Sequence, residues 1–132
     1  MSGWTSDELS KIGTAEERTI RSLRRDGTLR SPTTIWVVRH GQDLYVRPVN
    51  GRTSAWFRGT QVRQEGHIRC GGVDKDVTFV SVDAADDVNA AIDAAYRTKY
   101  GRYPKGWVDA VLTPEAKSAT IKLQPRSRSQ RE

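Results

Sequence analysis

Between Arg47 and Arg58 the chain packs a strand end, the polar turn Asn50-Gly51-Arg52-Thr53-Ser54 and a helix start into twelve positions. Helix N-termini carry unpaired N–H groups and a partial positive charge, so a hydroxyl-rich turn with arginines at such a place suits a phosphate group. The same residues also describe a solvated hairpin end whose Ser54 only caps the following helix. A second basic group, Arg21, Arg24, Arg25 and Arg30, falls on the first hairpin; a wet strand face is the commoner reason for such charge, although four arginines exceed what solubility needs. Trp36 and Trp56 offer flat rings that could flank a planar ligand, and core packing is the commoner role for each. Tyr96, Tyr100, Tyr103 and Trp107 are expected to pack a long helix onto the sheet or to form a subunit contact.

Several chemistries lack their motifs. There is no G-x-G-x-x-G after a strand, no P-loop, no G-x-S-x-G and no H-E-x-x-H, which argues against hydrolase and nucleotide-triphosphatase readings. The acidic pairs Asp86-Asp87 and Glu16-Glu17 stand at helix starts, where carboxylates are favoured without any acid–base role. Cys70 is the single cysteine and His40 and His67 the only imidazoles, so neither a disulfide nor a tight metal site is expected. A net charge of +6 and a pI near 9.8 attract anions: nucleic acid, a membrane surface or a phosphorylated small molecule.

The elements that would position these residues follow from periodicity and punctuation. Ser6 to Ile12 reads as a short helix capped by Ser6, and Thr14 to Glu17 has capping-box spacing. Arg18–Arg25 and Thr28–Arg39 flank Asp26-Gly27, a strong signal for a tight turn, and Leu44–Val49 completes an antiparallel meander. Thr33–Arg39 is apolar on both faces, the mark of a strand covered on both sides, and is predicted to be central. Ala55–Gln64 reads as a short helix, and His67–Cys70 and Asp76–Val82 as strands about a Gly71-Gly72 turn. The helix beginning at Asp83–Asp87 buries Val88, Ala91, Ile92, Ala95 and Tyr96. Thr113-Pro114 starts a helical turn, and Ala119–Gln124 alternates as a closing strand. With 132 residues the chain is expected to form one α+β domain over 1–125, followed by a basic, disordered tail at 126–132. The apolar content of 36% predicts a modest core, and neither a membrane span nor a signal peptide is apparent, so the expected location is cytoplasmic.

Asp26-Gly27-Thr28, Thr34-Ile35-Trp36-Val37-Val38, Leu44-Tyr45-Val46-Arg47 and Gly51-Arg52-Thr53-Ser54-Ala55-Trp56 together resemble the split-barrel flavin-binding superfamily. That group includes pyridoxamine phosphate oxidases and deazaflavin-dependent nitroreductases. From Trp4 to Pro114 the chain looks more closely like an uncharacterised bacterial domain-of-unknown-function family placed near those enzymes. The resemblance implies a split β-barrel of about six mainly antiparallel strands, with a short helix after strand 3 and a longer one before the last strand. It implies that Arg47, Asn50, Arg52, Thr53 and Ser54 contact a cofactor phosphate and that Thr34 and Trp36 run beside a ring. Ala55 and Trp56 stand where the oxidases commonly have a lysine, so flavin mononucleotide (FMN), a deazaflavin (F420), haem and an empty site all stay open. The expected function is a flavin- or deazaflavin-dependent oxidoreductase, homodimeric by the same resemblance. The alternative is a non-catalytic ligand-binding or regulatory protein of the same fold. A nucleic-acid binder ranks third, because no recognition motif accompanies the charge.

Overall fold

The computed structural model describes residues 4–13, 18–48, 55–62, 64–83, 86–101 and 103–125. The Thr14–Glu17 capping box, the turn residues Asn50, Gly51, Arg52, Thr53 and Ser54, and the 126–132 tail lie outside them, as do the side chains of Trp56 and Trp107. The elements in chain order are α1 (Ser6–Gly13), β1 (Arg18–Ser22), β2 (Thr33–Thr34), β3 (Val37–His40), β4 (Asp43–Val46), α2 (Ala55–Val62), β5 (Glu65–Cys70), β6 (Val73–Ser81), α3 (Val88–Tyr100), α4 (Lys105–Ala110), α5 (Pro114–Ser118) and β7 (Ile121–Pro125).

All seven strands form one antiparallel sheet in the order β2-β1-β5-β6-β7-β4-β3. Its outermost strands, β2 and β3, are separated by only Ile35 and Trp36. A single short segment therefore joins the two ends of the sheet, which must curl to let it do so: the architecture is an α+β split barrel. This corrects the expected central strand and the continuous meander. Thr33–Arg39 is apolar on both faces because it bends across the junction, with Ile35 and Val37 in the barrel core and Trp36 and Val38 beneath α3. The bend also raises the strand number from about six to seven.

The barrel core gathers Ile20, Val37, Leu44, Val46, Ile68, Cys70, Val77, Phe79, Ile121 and Leu123, closed by Trp4, Leu9 and Ile12 from the N-terminal segment. Helix α1 starts with a capping box, but at Thr5 and Glu8 rather than at the expected Ser6: Thr5 Oγ1 accepts from Glu8 N–H at 3.1 Å and Glu8 Oε1 from Thr5 N–H at 3.0 Å. Lys75 on β6 then holds Glu8 at 2.9 Å, fixing α1 to the sheet. Outside the barrel, α3 lays Ile92, Tyr96 and Tyr100 over Val38 and Tyr45. The tyrosine hydroxyls hold the bend: Tyr96 Oη donates to Trp36 C=O at 2.8 Å, and Tyr100 Oη donates to Val37 C=O at 2.9 Å while accepting from Val37 N–H at 3.1 Å.

Candidate functional site

Arg47, which the sequence reading placed on a phosphate, directly follows strand β4. The structure buries it to 2% exposure and engages all five of its N–H donors. Nε donates to Thr120 Oγ1 at 2.9 Å. One terminal nitrogen donates to Asp93 Oδ1 at 2.5 Å and Val111 C=O at 3.1 Å, the other to Asn89 Oδ1 at 3.0 Å and Asn89 C=O at 3.3 Å. Arg47 thus ties β4 to α3, to the residue after α4 and to the approach to β7. It leaves no donor for a ligand. Lys117 adds a second cation to Asp93 at 3.2 Å. Burial pushes the Asp93 carboxyl up, but the bonds from Arg47 and Lys117 more than offset this and hold it below the usual carboxylate range. This network is invisible to local sequence reading, because its members lie 42 to 73 residues from Arg47.

Thr120, bonded to Arg47, lines a cleft of about 470 Å³ together with Phe57 of α2 and with Ser81, Val82, Asp83, Ser118 and Ala119. The lining supplies three hydroxyls, an apolar ring and, at one end, the exposed Asp83 carboxylate. Hydroxyl-bearing and aromatic parts of a ligand match this lining, whereas an anionic group is repelled at the Asp83 end.

Of the two residues expected beside a ring, Trp36 lies parallel to Tyr100, with centroids 4.2 Å apart and planes within 1°, and Tyr103 stands 5.2 Å away. One face of its indole is therefore already stacked within the protein. Trp36 and Arg47 share Tyr96 as a neighbour, since the Arg47 guanidinium carbon lies 5.8 Å from the Tyr96 ring centroid. Thr34 is exposed on β2 and pairs with Thr19. Thr19 borders a separate cleft of about 330 Å³ with Arg21, Leu29, Pro32, His67, Arg69 and Asp74. There the His67 imidazole is held on both sides, by Asp76 at 2.7 Å and by Asp74. Cys70 is fully buried in the core. No group of three or more metal-ligating side chains occurs among the described residues.

A family model described as uncharacterised protein conserved in bacteria (DUF2255) matches residues 8–123, and the chain belongs to that family. No curated protein matches the chain. Among solved structures, the haem storage protein HutZ from Vibrio cholerae superposes with a TM-score of 0.62 at 12% identity, over 92% of this chain and 87% of that one. A structure titled F420 reductase gives a TM-score of 0.57 at 13% identity, over 89% and 92% of the two chains. A FAD-binding protein from Mesorhizobium loti gives 0.57 at 13% identity, over 94% and 91%. At these identities the likeness establishes the fold. No helix among the described residues is long and apolar enough to cross a membrane.

Proposed function

We propose, with membership of the DUF2255 family as premise, that the chain binds a phosphorylated redox cofactor, FMN or a deazaflavin, and serves as an oxidoreductase. The observation that carries this reading is the split barrel itself: three solved proteins that superpose on nearly the whole chain are named for flavin-type cofactors or haem. Such a cofactor supplies hydride or electron transfer, and the protein supplies anchoring, orientation and exclusion of water. In this assignment Asn50, Arg52, Thr53 and Ser54 hold the phosphate. Phe57, Ser81 and Ser118 face the part of the ligand next to it. Thr34 and Trp36 stand on the ring side. Arg47 acts by fixing the strand that leads into the turn. The active form is a homodimer, with the second subunit covering the cofactor.

Titration of the purified protein with FMN and with the deazaflavin, followed by fluorescence, tests this reading. Micromolar or tighter binding, lost in the Arg52→Ala, Ser54→Ala double variant, is the expected outcome. No binding of either ligand would sink the assignment.

The second reading is a non-catalytic haem binder, favoured by the higher TM-score of the haem storage protein, 0.62 against 0.57 for the other two. His67 is already flanked by two carboxylates and Cys70 is buried, so in that case His40, exposed at the end of β3, would hold the haem. A Soret band on haem addition that His40→Ala abolishes would select it.

A further inference from the structure

We propose that the cleft between α1, β3 and α3 binds an amphiphilic carboxylate, one acid group on an apolar body, whose acid group is met by Arg39 and His40. The cleft measures about 530 Å³, within the range of about 300–1,000 Å³ that is usual for small-molecule sites. It does not depend on the cofactor reading above. Arg39 and His40 stand at the β3–β4 hairpin turn, whereas Arg47 follows the opposite end of β4, roughly 13 Å along the strand from Asp43.

The apolar part of the lining comes from three elements. Leu9 of α1 and Val38 of β3 are buried and form the floor. The wall is a run of small side chains on α3, where Ala91, Ala94, Ala95 and Thr98 recur at the 3,4 spacing of a single helix face. A leucine or methionine at these positions would fill the space, whereas methyl groups leave it open to a guest. Taking this surface out of water favours an apolar body over a polar one.

The charge of the lining has one sign. Arg39, His40 and Lys99 border the cleft, and no carboxylate does. Lys99 is fixed in place, its Nζ donating to Val37 C=O at 2.7 Å and to Ile12 C=O at 3.2 Å. Arg39 donates through Nε to Gly41 C=O at 2.9 Å, which leaves both terminal nitrogens without a partner among the described residues. The nearby acids are committed elsewhere: Asp7 to Lys11 at 3.0 Å, Glu8 to Lys75 at 2.9 Å and Asp93 to Arg47. Asp43 stands opposite His40 across the hairpin, off the lining, and no ion pair joins the two. An open guanidinium fork matches the two oxygens of a carboxylate, and an imidazole N–H beside it adds a third donor. Charge and wall together select a ligand that has both an acid group and an apolar body.

The test is titration of the full chain with decanoate and with naphthoate at matched ionic strength, followed by amide NMR shifts. Neither probe carries a metal, so their uptake is read apart from the haem test above. Shifts are expected to concentrate at Ala91, Ala94, Ala95 and Thr98, and the tighter of the two probes tells an alkyl body from an aromatic one. Decyltrimethylammonium, with the same chain and the opposite charge, should bind about tenfold more weakly than decanoate. Arg39→Gln should weaken decanoate binding about five- to tenfold, and the exposed α3 control Arg97→Gln should leave it unchanged. Ala94→Glu, at an exposed position, places a like charge on the wall and should abolish binding with Tm unchanged. The proposal is overturned if neither probe binds wild type, if the shifts fall outside the cleft, if decyltrimethylammonium binds equally well, or if either variant binds decanoate as wild type does. A second copy of the chain seated in the cleft would show as a lower mass for Ala94→Glu in light scattering, and would overturn it as well.

Discussion

Arg47 shows how far a residue's role depends on groups that are distant in sequence. Beside a polar turn it reads as a phosphate ligand, but its partners come from α3, from Val111 and from Thr120, and they consume every donor it has. Truncating one member of such a network strands the others without compensation. Arg47→Met is therefore expected to lose about 3–5 kcal/mol in urea unfolding, because Asp93 Oδ1, Val111 C=O and Asn89 Oδ1 lose the donors that Arg47 supplies. The Asp93 carboxyl is held below its usual value of 3.8, so its contribution to stability is complete above that value and is lost as pH falls through the lower folded one. The unfolding free energy of the wild type should accordingly drop on acidification below about pH 4. In Asp93→Asn that part of the drop should be missing, and an equally steep curve would refute the assignment. Asn50, Arg52, Thr53 and Ser54 could be nominated from sequence because the turn is continuous in the chain. Arg39 could be seen only as the end of a strand, since nothing local shows that α1 and α3 leave a cleft beside it.

Elements were more legible than side-chain roles, and the exceptions have physical causes. The 3,4 spacing of Val88, Ala91, Ile92, Ala95 and Tyr96 found α3, the Asp26-Gly27 and Gly71-Gly72 turns were placed correctly, and Thr113 caps α5 by accepting from Ala116 N–H at 3.1 Å. Helix α4, with six residues and no apolar period, gave no comparable signal. The split of Thr33–His40 depends on which distant strands each half joins, which no local pattern records. Two hydroxyls on α3 stand in at the bend for sheet bonds, so Tyr100→Phe should cost about 1–3 kcal/mol by leaving Val37 short of partners, as read from thermal unfolding. Glycines inside helices give a sharper contrast. Gly106→Ala in α4 meets nothing within 4 Å and should gain up to about 1 kcal/mol, whereas a Cβ at Gly59 of α2 would stand 2.4 Å from Ser22 Oγ of β1, so Gly59→Ala should lose about 1–3 kcal/mol despite the better helix propensity. If both substitutions stabilise the protein, α2 does not lie as close to β1 as described.

At the scale of the whole molecule, fold class followed from recognisable segments, whereas strand order did not. The proposed dimer has a direct check: light scattering should give a mass of twice 14.8 kDa. The net charge of +6 adds a general attraction for anions that salt weakens, and binding at a built site should outlast that weakening. The placement of β7 bears on how the chain comes to be folded in a cell. Its neighbours, β6 and β4, are complete by Ser81, yet the sheet cannot join them until residues 121–125 have been made. At roughly 5–20 residues per second the ribosome leaves two strand rims open for several seconds. Over that interval the nascent chain is two partial sheets awaiting a keystone, and this is when a chaperone or a misplaced strand has its best opportunity to bind.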